Sequence, residues 1–432
     1  MGSMIETLRN SMRVPELRKK ILFTVFMIVV YRIGAHIPVP GIDRVAFTSM
    51  LSRFGQLGSM MDILSGGALA TVSIFAMGIQ PYINSSIIIQ LLTVAIPALE
   101  RMSKEGETGR KKLNAITRYM TVGLGLVQSI AFWWATRTAA VSNIPSVLNS
   151  LMVILSFTAG TAVVMWIGEQ INEKGIGNGI SLLIFTGIIS RIPSMIQNLW
   201  FTFRQWQIAQ NVFVAILFLL IFLAAALALF LFVLFIQQAE RRIPVQYARR
   251  VVGRRQYGGQ STYLPIKVNQ SGVLPVIFAM SIATLPNLII SLFFVNSTGP
   301  VVSFFRDLST NPIYYVAMAL LIIGFTFFYS MIQYNPIEIS NNLQKNGGFI
   351  PGIRPGRPTT DFISRTANRL CWFDGIFLAI ITLTPMVAGA FTNTQAIWFG
   401  GTAILIMSGT SVDLINQLES QMMMRHYKGF LD

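Results

Sequence analysis

The sequence predicts an all-α polytopic membrane protein with ten transmembrane helices in two inverted halves of five. The first observation is composition, because 53% of the 432 residues are hydrophobic and only 12% are charged, against about 25% in a typical soluble domain. The second is a set of ten apolar runs of spanning length, which a bilayer sets at roughly 17–25 residues. The third is a Gly-x-x-Pro interruption near the start of both the second and the seventh run.

The apolar runs give the order of the helices. They lie near residues 21–37, 72–96, 115–136, 150–168, 178–196, 211–237, 273–295, 313–334, 371–391 and 396–412. They lack the alternation of apolar and polar residues that marks a transmembrane barrel. No clear small-residue cleavage site follows the first run, so we interpret it as an uncleaved helix and not as a signal peptide. An even number of spans places both termini on one side of the membrane.

The positive charges indicate which side that is. Most of the 33 Lys and Arg residues lie in the N-terminal segment 1–20, in the linkers after the second, fourth, sixth and eighth runs, and in the tail 416–432. The opposite linkers carry Arg44, Arg53, Arg137, Arg191, Arg204 and Arg306. Because cytoplasmic linkers are enriched in Lys and Arg, both termini are predicted to be cytoplasmic. Topology accounts for the net charge of +16 without a nucleic-acid partner.

The matched interruptions divide the chain into two repeats. Gly78 and Pro81 are followed by Ile83, and Gly272 and Pro275 are followed by Ile277. Gly and Pro weaken a helix, and irregular backbone is tolerated in a bilayer only against protein or a water-filled cavity. Five spans per half invert the second half, 201–415, relative to the first, 21–200. Inverted repeats with broken helices typically surround a substrate path.

Three linkers are too long for simple turns. Those at 238–268 and 335–369 are predicted to be cytoplasmic, and that at 38–71 lies on the outer side. The outer linker contains a short apolar stretch, Met60-Met61-Asp62-Ile63-Leu64, close to Gly66 and Gly67. We interpret this stretch as a half-helix that folds back into the protein.

Other functions find little support in the sequence. The charged residues Arg32, Glu169 and Asp374 lie towards the ends of spans, whereas ion-coupled transporters carry charges along their ion path. A phosphate-binding Gly-x-x-x-x-Gly-Lys-Ser/Thr motif is absent, and no nucleophile–base pair is evident. The single cysteine, Cys371, and two distant histidines make a metal site unexpected. We therefore predict neither an enzyme nor a bound cofactor.

Six stretches, in order along the chain, resemble the SecY family of bacterial protein-conducting channels. The resemblance covers nearly the whole chain. The stretches are Ile37–Gly41, Ser73–Leu92, Gly175–Ser181, Arg241–Val245, Gly272–Ala279 and Gly347–Gly356.

The resemblance implies a central hourglass pore whose waist is a ring of apolar side chains. Carried over residue by residue, the ring consists of Ile79, Ile83, Ile184, Ile188, Ile277 and Ile406. Branched apolar side chains at a constriction exclude water and ions, and they can part around a polypeptide. Considered by spacing alone, these isoleucines could equally serve ordinary helix packing, which is the alternative to a pore ring.

The resemblance also implies a plug and a lateral gate. The plug corresponds to the fold-back stretch, namely Met60, Met61, Asp62, Ile63, Leu64, Ser65, Gly66 and Gly67, for which an external loop is the alternative. The gate lies between the second and seventh helices, at Gly78, Pro81, Ile87, Gly272, Pro275 and Ile282. Through such a seam an apolar signal sequence can partition into lipid, where its apolar residues are more stable than in water.

The two long cytoplasmic loops correspond to the docking surface of the family for the ribosome and for the SecA motor ATPase. The basic residues assigned to docking are Arg241, Arg242, Arg249, Arg250, Arg254, Arg255, Arg354 and Arg357. Positive-inside topology alone is the other explanation for these arginines. The family further implies SecE and SecG subunits, signal-bearing polypeptide substrates and membrane lipids as partners, in the bacterial plasma membrane.

The predicted function is therefore a protein-conducting channel. It would translocate unfolded secretory polypeptides and release transmembrane segments sideways into lipid, driven by an external motor or the ribosome. Two alternatives stay open at this point: a secondary transporter for small solutes built on inverted repeats, and an insertase or scaffold without a through-pore.

Overall fold

The computed structural model describes residues 11–53, 66–137, 145–209, 212–247, 250–252, 255–257, 261–293, 299, 312–392 and 401–428. The helices in these ranges are α1 Pro15–Gly34, α2 Arg44–Arg53, α3 Gln80–Ala95, α4 Pro97–Lys104, α5 Glu107–Thr136, α6 Ser146–Lys174, α7 Gly179–Ile189, α8 Ile192–Ala209, α9 Val212–Gln238, α10 Leu274–Phe293, α11 Pro312–Gln333, α12 Pro336–Lys345, α13 Arg357–Thr392 and α14 Gly401–Lys428. The strands are β1 Glu240–Tyr247, β2 Arg250–Val252, β3 Arg255–Tyr257, β4 Ser261–Lys267 and β5 Gly348–Phe349.

Each of the ten predicted apolar runs overlaps a helix of the structure. Within the described ranges, five helical segments are long and apolar enough to cross a membrane, or six when α3 and α4 are taken as one bent span. Much of their surface is apolar and exposed, as on α9, where Phe213, Leu220 and Phe235 are among the exposed side chains. In a bilayer such surface faces lipid.

The second run differs from its predicted bounds. The run was predicted at 72–96, but the helix α3 begins only at Gln80, and residues 66–79 form consecutive turns with one bridge residue. After Ala95 the chain turns by 102° into α4. The turn falls at Ile96, which has an extended backbone ahead of Pro97. A residue before proline avoids the helical region, so the proline sets the end of α3.

The chain forms two compact units. The first contains Met1–Gln205, Thr284–Thr310 and Thr410–Asp432. In this unit α5 packs between α3 and α6, and α6 also packs against α1 and α7. One apolar core of this unit includes Phe47, Val72, Val153 and Phe157. The residues that precede α3 are therefore part of a packed interior and not an external loop.

The second unit contains Trp206–Ala283 and Asn311–Gly409. Here α11 packs against α13, and Phe278 of α10 contacts Phe325 of α11 with ring centroids 5.9 Å apart. The side-chain amide of Gln237 in α9 donates to the backbone oxygen of Leu405 in α14 at 3.0 Å. Apolar contacts and one buried amide thus fix these helices to each other.

A small β-sheet in the second unit adds to the predicted all-α architecture. Strand β1 pairs antiparallel with β4, from Glu240↔Lys267 to Gln246↔Ser261, and also with β5 at Gln246↔Phe349 and Tyr247↔Gly348. Strands β2 and β3 form a separate two-stranded ribbon. The alternate burial of Ile243 and Val245 in β1 is that of a sheet with one packed face.

Candidate functional site

The two predicted interruptions have the same geometry in the structure. Gly78 and Gly272 have positive φ angles of 55° and 64°, which glycine adopts at little cost. In each case the helix begins two residues later, and Pro81 and Pro275 occupy the second helical position. A proline there costs no hydrogen bond, because the first turn of a helix has no internal acceptor for its amides. The Gly-x-x-Pro motif therefore starts a helix in both halves and does not kink one.

The turns before α3 are held by the segment that follows α1 and by helix α6. The backbone of Ile74 donates to the oxygen of Ile37 at 3.0 Å, and Val39 donates to Val72 at 2.9 Å. On the other side, Gly160 of α6 lies so close that a Cβ atom there would collide with the carbonyl oxygen of Ile74. This close packing allows irregular backbone to exist inside an apolar protein.

The turn before α10 is held by side-chain hydrogen bonds instead. Ser271 donates from its hydroxyl to Oδ2 of Asp374 at 2.7 Å and from its backbone amide to the same oxygen at 3.4 Å. The backbone amide of Gly272 donates to Oδ1 of Asn269 at 2.7 Å. Ser330 of α11 donates to Oε1 of Gln270 at 2.8 Å. Three consecutive residues are thus fixed before the helix begins.

All six isoleucines assigned to the pore ring are buried. In the first unit Ile79 caps α3, Ile83 lies in its first turn, and Ile184 and Ile188 lie in α7. In the second unit Ile277 lies in the first turn of α10, and Ile406 lies near the start of α14. Both helix starts therefore carry a ring residue directly after the matched glycine and proline. Their assignment to one constriction stays a prediction.

The plug assignment falls mostly outside the described residues. Met60, Met61, Asp62, Ile63, Leu64 and Ser65 lie there, as do Arg249 and Arg254 of the docking set.

The two remaining plug residues, Gly66 and Gly67, lie in the first unit and have positive φ angles of 69° and 85°. The carbonyl oxygen of Gly66 accepts a hydrogen bond from Nη1 of Arg32 in α1 at 3.0 Å. That nitrogen also donates to the hydroxyl of Ser190, the C-cap of α7, at 3.0 Å. A Cβ atom at Gly66 would lie 2.7 Å from Cα of Gly187. The end of the predicted plug is thus joined to two helices.

The residues assigned to the lateral gate lie at the expected helices. Gly78 precedes α3, Pro81 is its second residue, and Ile87 is buried in it. In the same way Gly272 precedes α10, Pro275 is its second residue, and Ile282 is partly buried in it. Their role as facing walls of a gate stays a prediction.

The two long loops that were predicted to be cytoplasmic form one folded module. Strand β1 of the first loop pairs with β5 of the second, and an apolar cluster of Ile243, Ile266, Ile350 and Ile363 joins them. This pairing is not evident from the sequence, because strands about 100 residues apart leave no local signal.

The described docking arginines lie on this module. Arg241, Arg242, Arg354 and Arg357 are exposed. Arg250 and Arg255 belong to the ribbon of β2 and β3. Arg242 pairs with Glu240 at 2.7 Å.

The loop that carries Arg354 has a defined conformation. Gly352 and Gly356 flank it with φ angles of 80° and 97°. The backbone oxygen of Arg354 accepts from the hydroxyl of Thr359 at 2.9 Å, and that of Gly356 accepts from the hydroxyl of Ser340 at 3.2 Å. The arginine side chain is therefore presented to solvent from a fixed turn.

Comparison with known proteins places this geometry in a family. The family model SecY matches residues 73–415. The protein translocase subunit SecY of Halalkalibacterium halodurans is 45% identical over 436 residues, which cover 99% of this chain and all of that protein. The same subunit of Streptomyces scabiei is 43% identical with equal coverage.

The fold is also similar to solved structures. One, described as the structure of a protein conducting channel, aligns with a TM-score of 0.66 and 18% identity and covers 96% of both chains. Another, Sec61 in the canine ribosome–channel complex, aligns with a TM-score of 0.61 over 96% of both chains. These likenesses confirm the predicted fold class of an all-α membrane protein. Because the family model covers most of the chain and the relatives match it from end to end, this chain belongs to the SecY family.

Proposed function

We propose that this chain is the pore-forming subunit of a protein-conducting channel. It translocates unfolded secretory polypeptides across the membrane and releases transmembrane segments sideways into lipid. Family membership over residues 73–415 carries this proposal. The matched starts of α3 and α10 agree with it, because irregular backbone in a membrane needs a protein or water-filled surrounding. The relatives and solved structures give no support to a small-solute transporter.

The channel works by exclusion and not by covalent chemistry. An extended polypeptide cannot cross lipid alone, because each unpaired amide costs several kcal/mol in hydrocarbon. The proposed ring of Ile79, Ile83, Ile184, Ile188, Ile277 and Ile406 closes the resting pore. Its apolar side chains offer no hydrogen bonds to a passing chain, so the ring tolerates any sequence. The stretch from Met60 to Gly67 acts as a plug on the outer side.

Lateral release uses the seam between α3 and α10. A signal sequence with about ten apolar residues gains on the order of 3–6 kcal/mol in the membrane. The starts of both helices lack regular hydrogen bonding before Gln80 and Leu274. A helix that is displaced from its first residue keeps its own backbone hydrogen bonds.

The cytoplasmic module is the proposed docking surface. Exposed arginines on strand β1 and in the turn at Arg354 suit binding to RNA phosphates and to acidic protein surfaces. Solved relatives include channels in complex with ribosomes. We propose the ribosome and the SecA motor as partners of this module, with SecE and SecG as further subunits, in the bacterial plasma membrane with both termini cytoplasmic.

Reconstitution tests the function. The chain, purified with its co-expressed SecE and SecG subunits, is placed in liposomes with SecA, ATP and a secretory precursor. We expect ATP-dependent protection of the precursor from external protease, and no protection of the same precursor lacking its signal sequence. A scaffold without a through-pore would give no protection, and its liposomes would remain tight to ions after deletion of residues 60–65.

A further inference from the structure

A buried acidic residue holds the non-helical residues that precede α10. Asp374 lies within the long helix α13 and is completely buried. Its Oδ2 atom accepts from the hydroxyl and the backbone amide of Ser271, at 2.7 Å and 3.4 Å. The pore residue Ile277 follows six positions after Ser271, in the first turn of α10.

Stability does not explain this carboxylate. A charged group within a membrane span is costly and is normally found where it serves function. The second carboxylate oxygen, Oδ1, is buried without a hydrogen-bond partner among the described residues. An apolar residue of similar size would avoid both costs. The benefit that remains is the directed hydrogen bonding to Ser271.

In the first half of the chain, the non-helical residues that precede α3 are held by a different kind of contact. There Gly160 of α6 packs directly on the carbonyl oxygen of Ile74, ahead of Gly78. Counted within each predicted half of five, α6 and α13 are both the fourth span. The same structural element therefore supports the matched helix start in both halves. In the first half the support is the backbone contact of Gly160 with Ile74, and in the second half it is the hydrogen bonding of Asp374 to Ser271.

We propose that Asp374 is a positioning residue that holds α10 in its resting place and so sets how readily the channel opens. This role of Asp374 rests on the proposed channel function, and it adds to that function the contact that opposes opening. Displacement of α10 for a signal sequence requires that the Ser271–Asp374 hydrogen bonds break or move with the helix. Weakening these hydrogen bonds favours the open channel. A neutral side chain at position 374 that still accepts a hydrogen bond from Ser271 keeps the channel closed.

The variants separate these contributions. Ser271→Ala removes one donor and leaves the backbone amide, so it is the mild variant and is expected to fold. Asp374→Ala removes the acceptor. Asp374→Asn keeps a side-chain oxygen that can accept the Ser271 hydroxyl. Thr366→Val is the matched control, because Thr366 lies on the same helix and, among the described residues, its hydroxyl donates only to the backbone oxygen of Phe362 in that helix.

Two readouts are measured in the reconstituted channel. The first is resting ion leak, together with export of a precursor whose signal sequence is defective. The second is labelling of the single cysteine, Cys371, by a maleimide in native membranes. Cys371 is buried one turn before Asp374 in α13, and it interacts with Ser330, which itself donates to Gln270 at 2.8 Å. Its labelling therefore reports the packing around the start of α10 independently of transport.

We expect Ser271→Ala and Asp374→Ala to raise the resting leak and the export of the defective precursor. A rise of about tenfold corresponds to about 1.4 kcal/mol, the order of one to two lost hydrogen bonds. The double variant should add little to Asp374→Ala, and Cys371 should label faster in both single variants. Asp374→Asn and Thr366→Val should resemble the original chain.

Three outcomes would overturn the proposal. In the first, leak and labelling are unchanged in Ser271→Ala and Asp374→Ala at normal membrane levels. In the second, Asp374→Asn leaks as much as Asp374→Ala, so that the charge and not the hydrogen bond matters. In the third, labelling rises without any leak, so that the contact packs α10 but does not govern opening. Failure of the proposed function itself is separate, because the unaltered chain would then export no precursor with an intact signal.

Discussion

Nη1 of Arg32 donates a hydrogen bond to the carbonyl oxygen of Gly66 at 3.0 Å, and so ties helix α1 to the end of the predicted plug. The same nitrogen reaches the hydroxyl of Ser190 at the end of α7. From the sequence, Arg32 is a charge towards the end of a span. The structure gives it partners in two other elements of the same unit.

The first prediction concerns this contact. Arg32→Gln should loosen the plug, because a hydrogen bond from a charged group contributes about 1.5–3 kcal/mol. The resting ion leak should therefore rise by about tenfold or more, and Ser190→Ala should give a smaller rise. Ser194→Ala is the control, since within the described part of the chain its hydroxyl donates only to the backbone oxygen of Arg191. An unchanged leak in Arg32→Gln, with normal protein levels, would show that Gly66 is held by other means.

The second prediction concerns the close approach of α6 to Ile74. Gly160→Ala places a methyl group on the Ile74 carbonyl and should destabilise the protein by about 1–3 kcal/mol through overpacking. Gly123→Ala, in the neighbouring helix α5, meets nothing within 4 Å and should be neutral or slightly stabilising. Thermal unfolding in detergent, followed by size-exclusion fluorescence, measures the difference. Equal melting temperatures for the two variants would contradict this packing.

The third prediction tests the pore ring. Ile83→Asn should increase ion leak and allow export of precursors with weak signals, because it adds a hydrated group to an apolar constriction. Ile277→Asn should act alike. Ile89→Asn is the matched control, since Ile89 is equally buried in the same helix α3 but is not assigned to the ring. A leak of the same size from all three variants would point to general destabilisation and remove the assignment.

The fourth prediction concerns docking. Arg354→Glu should sharply reduce SecA-driven translocation while insertion and expression persist. Arg354 is one of several basic residues in its loop, so the orientation of the chain in the membrane should not depend on this residue. Arg365→Glu provides the same charge change at another exposed arginine of the module and should transport normally. Cysteine-accessibility mapping checks the topology in parallel. Normal transport by Arg354→Glu would refute its role in docking, and an inverted topology would favour the topological explanation.

The fifth prediction addresses the lateral gate. After replacement of Cys371, cysteines at Ile87 and Ile282 or their neighbours should crosslink in the resting channel. A short crosslinker should block export of a signal-bearing precursor, and a long flexible one should restore it. Full export through a channel whose short crosslink is complete would show that the substrate does not use this seam.

The sequence alone determined the membrane class, ten apolar runs that each overlap a helix, and the two places where helices start anew. Both signals are local in the sequence. A helix that crosses a bilayer needs an apolar run of sufficient length, and proline is favoured in the first turn of a helix. The prediction that the motif interrupts a span near 72–96 was wrong in one respect, because the chain before Gln80 does not become helical. Nothing local forbids a helix over 72–77, and packing against α1 and α6 decided its absence.

Tertiary structure decided which distant groups meet. Ser271 and Asp374 are 103 positions apart, and Arg32 and Gly66 are 34 apart, so neither pair leaves a periodic signal. The pairing of the two long loops through β1 and β5 likewise joins residues that are distant in sequence. Sequence periodicity reports which face of an element is apolar. The partner that covers this face, and the polar atom that satisfies a buried carbonyl or carboxylate, follow only from how the elements pack.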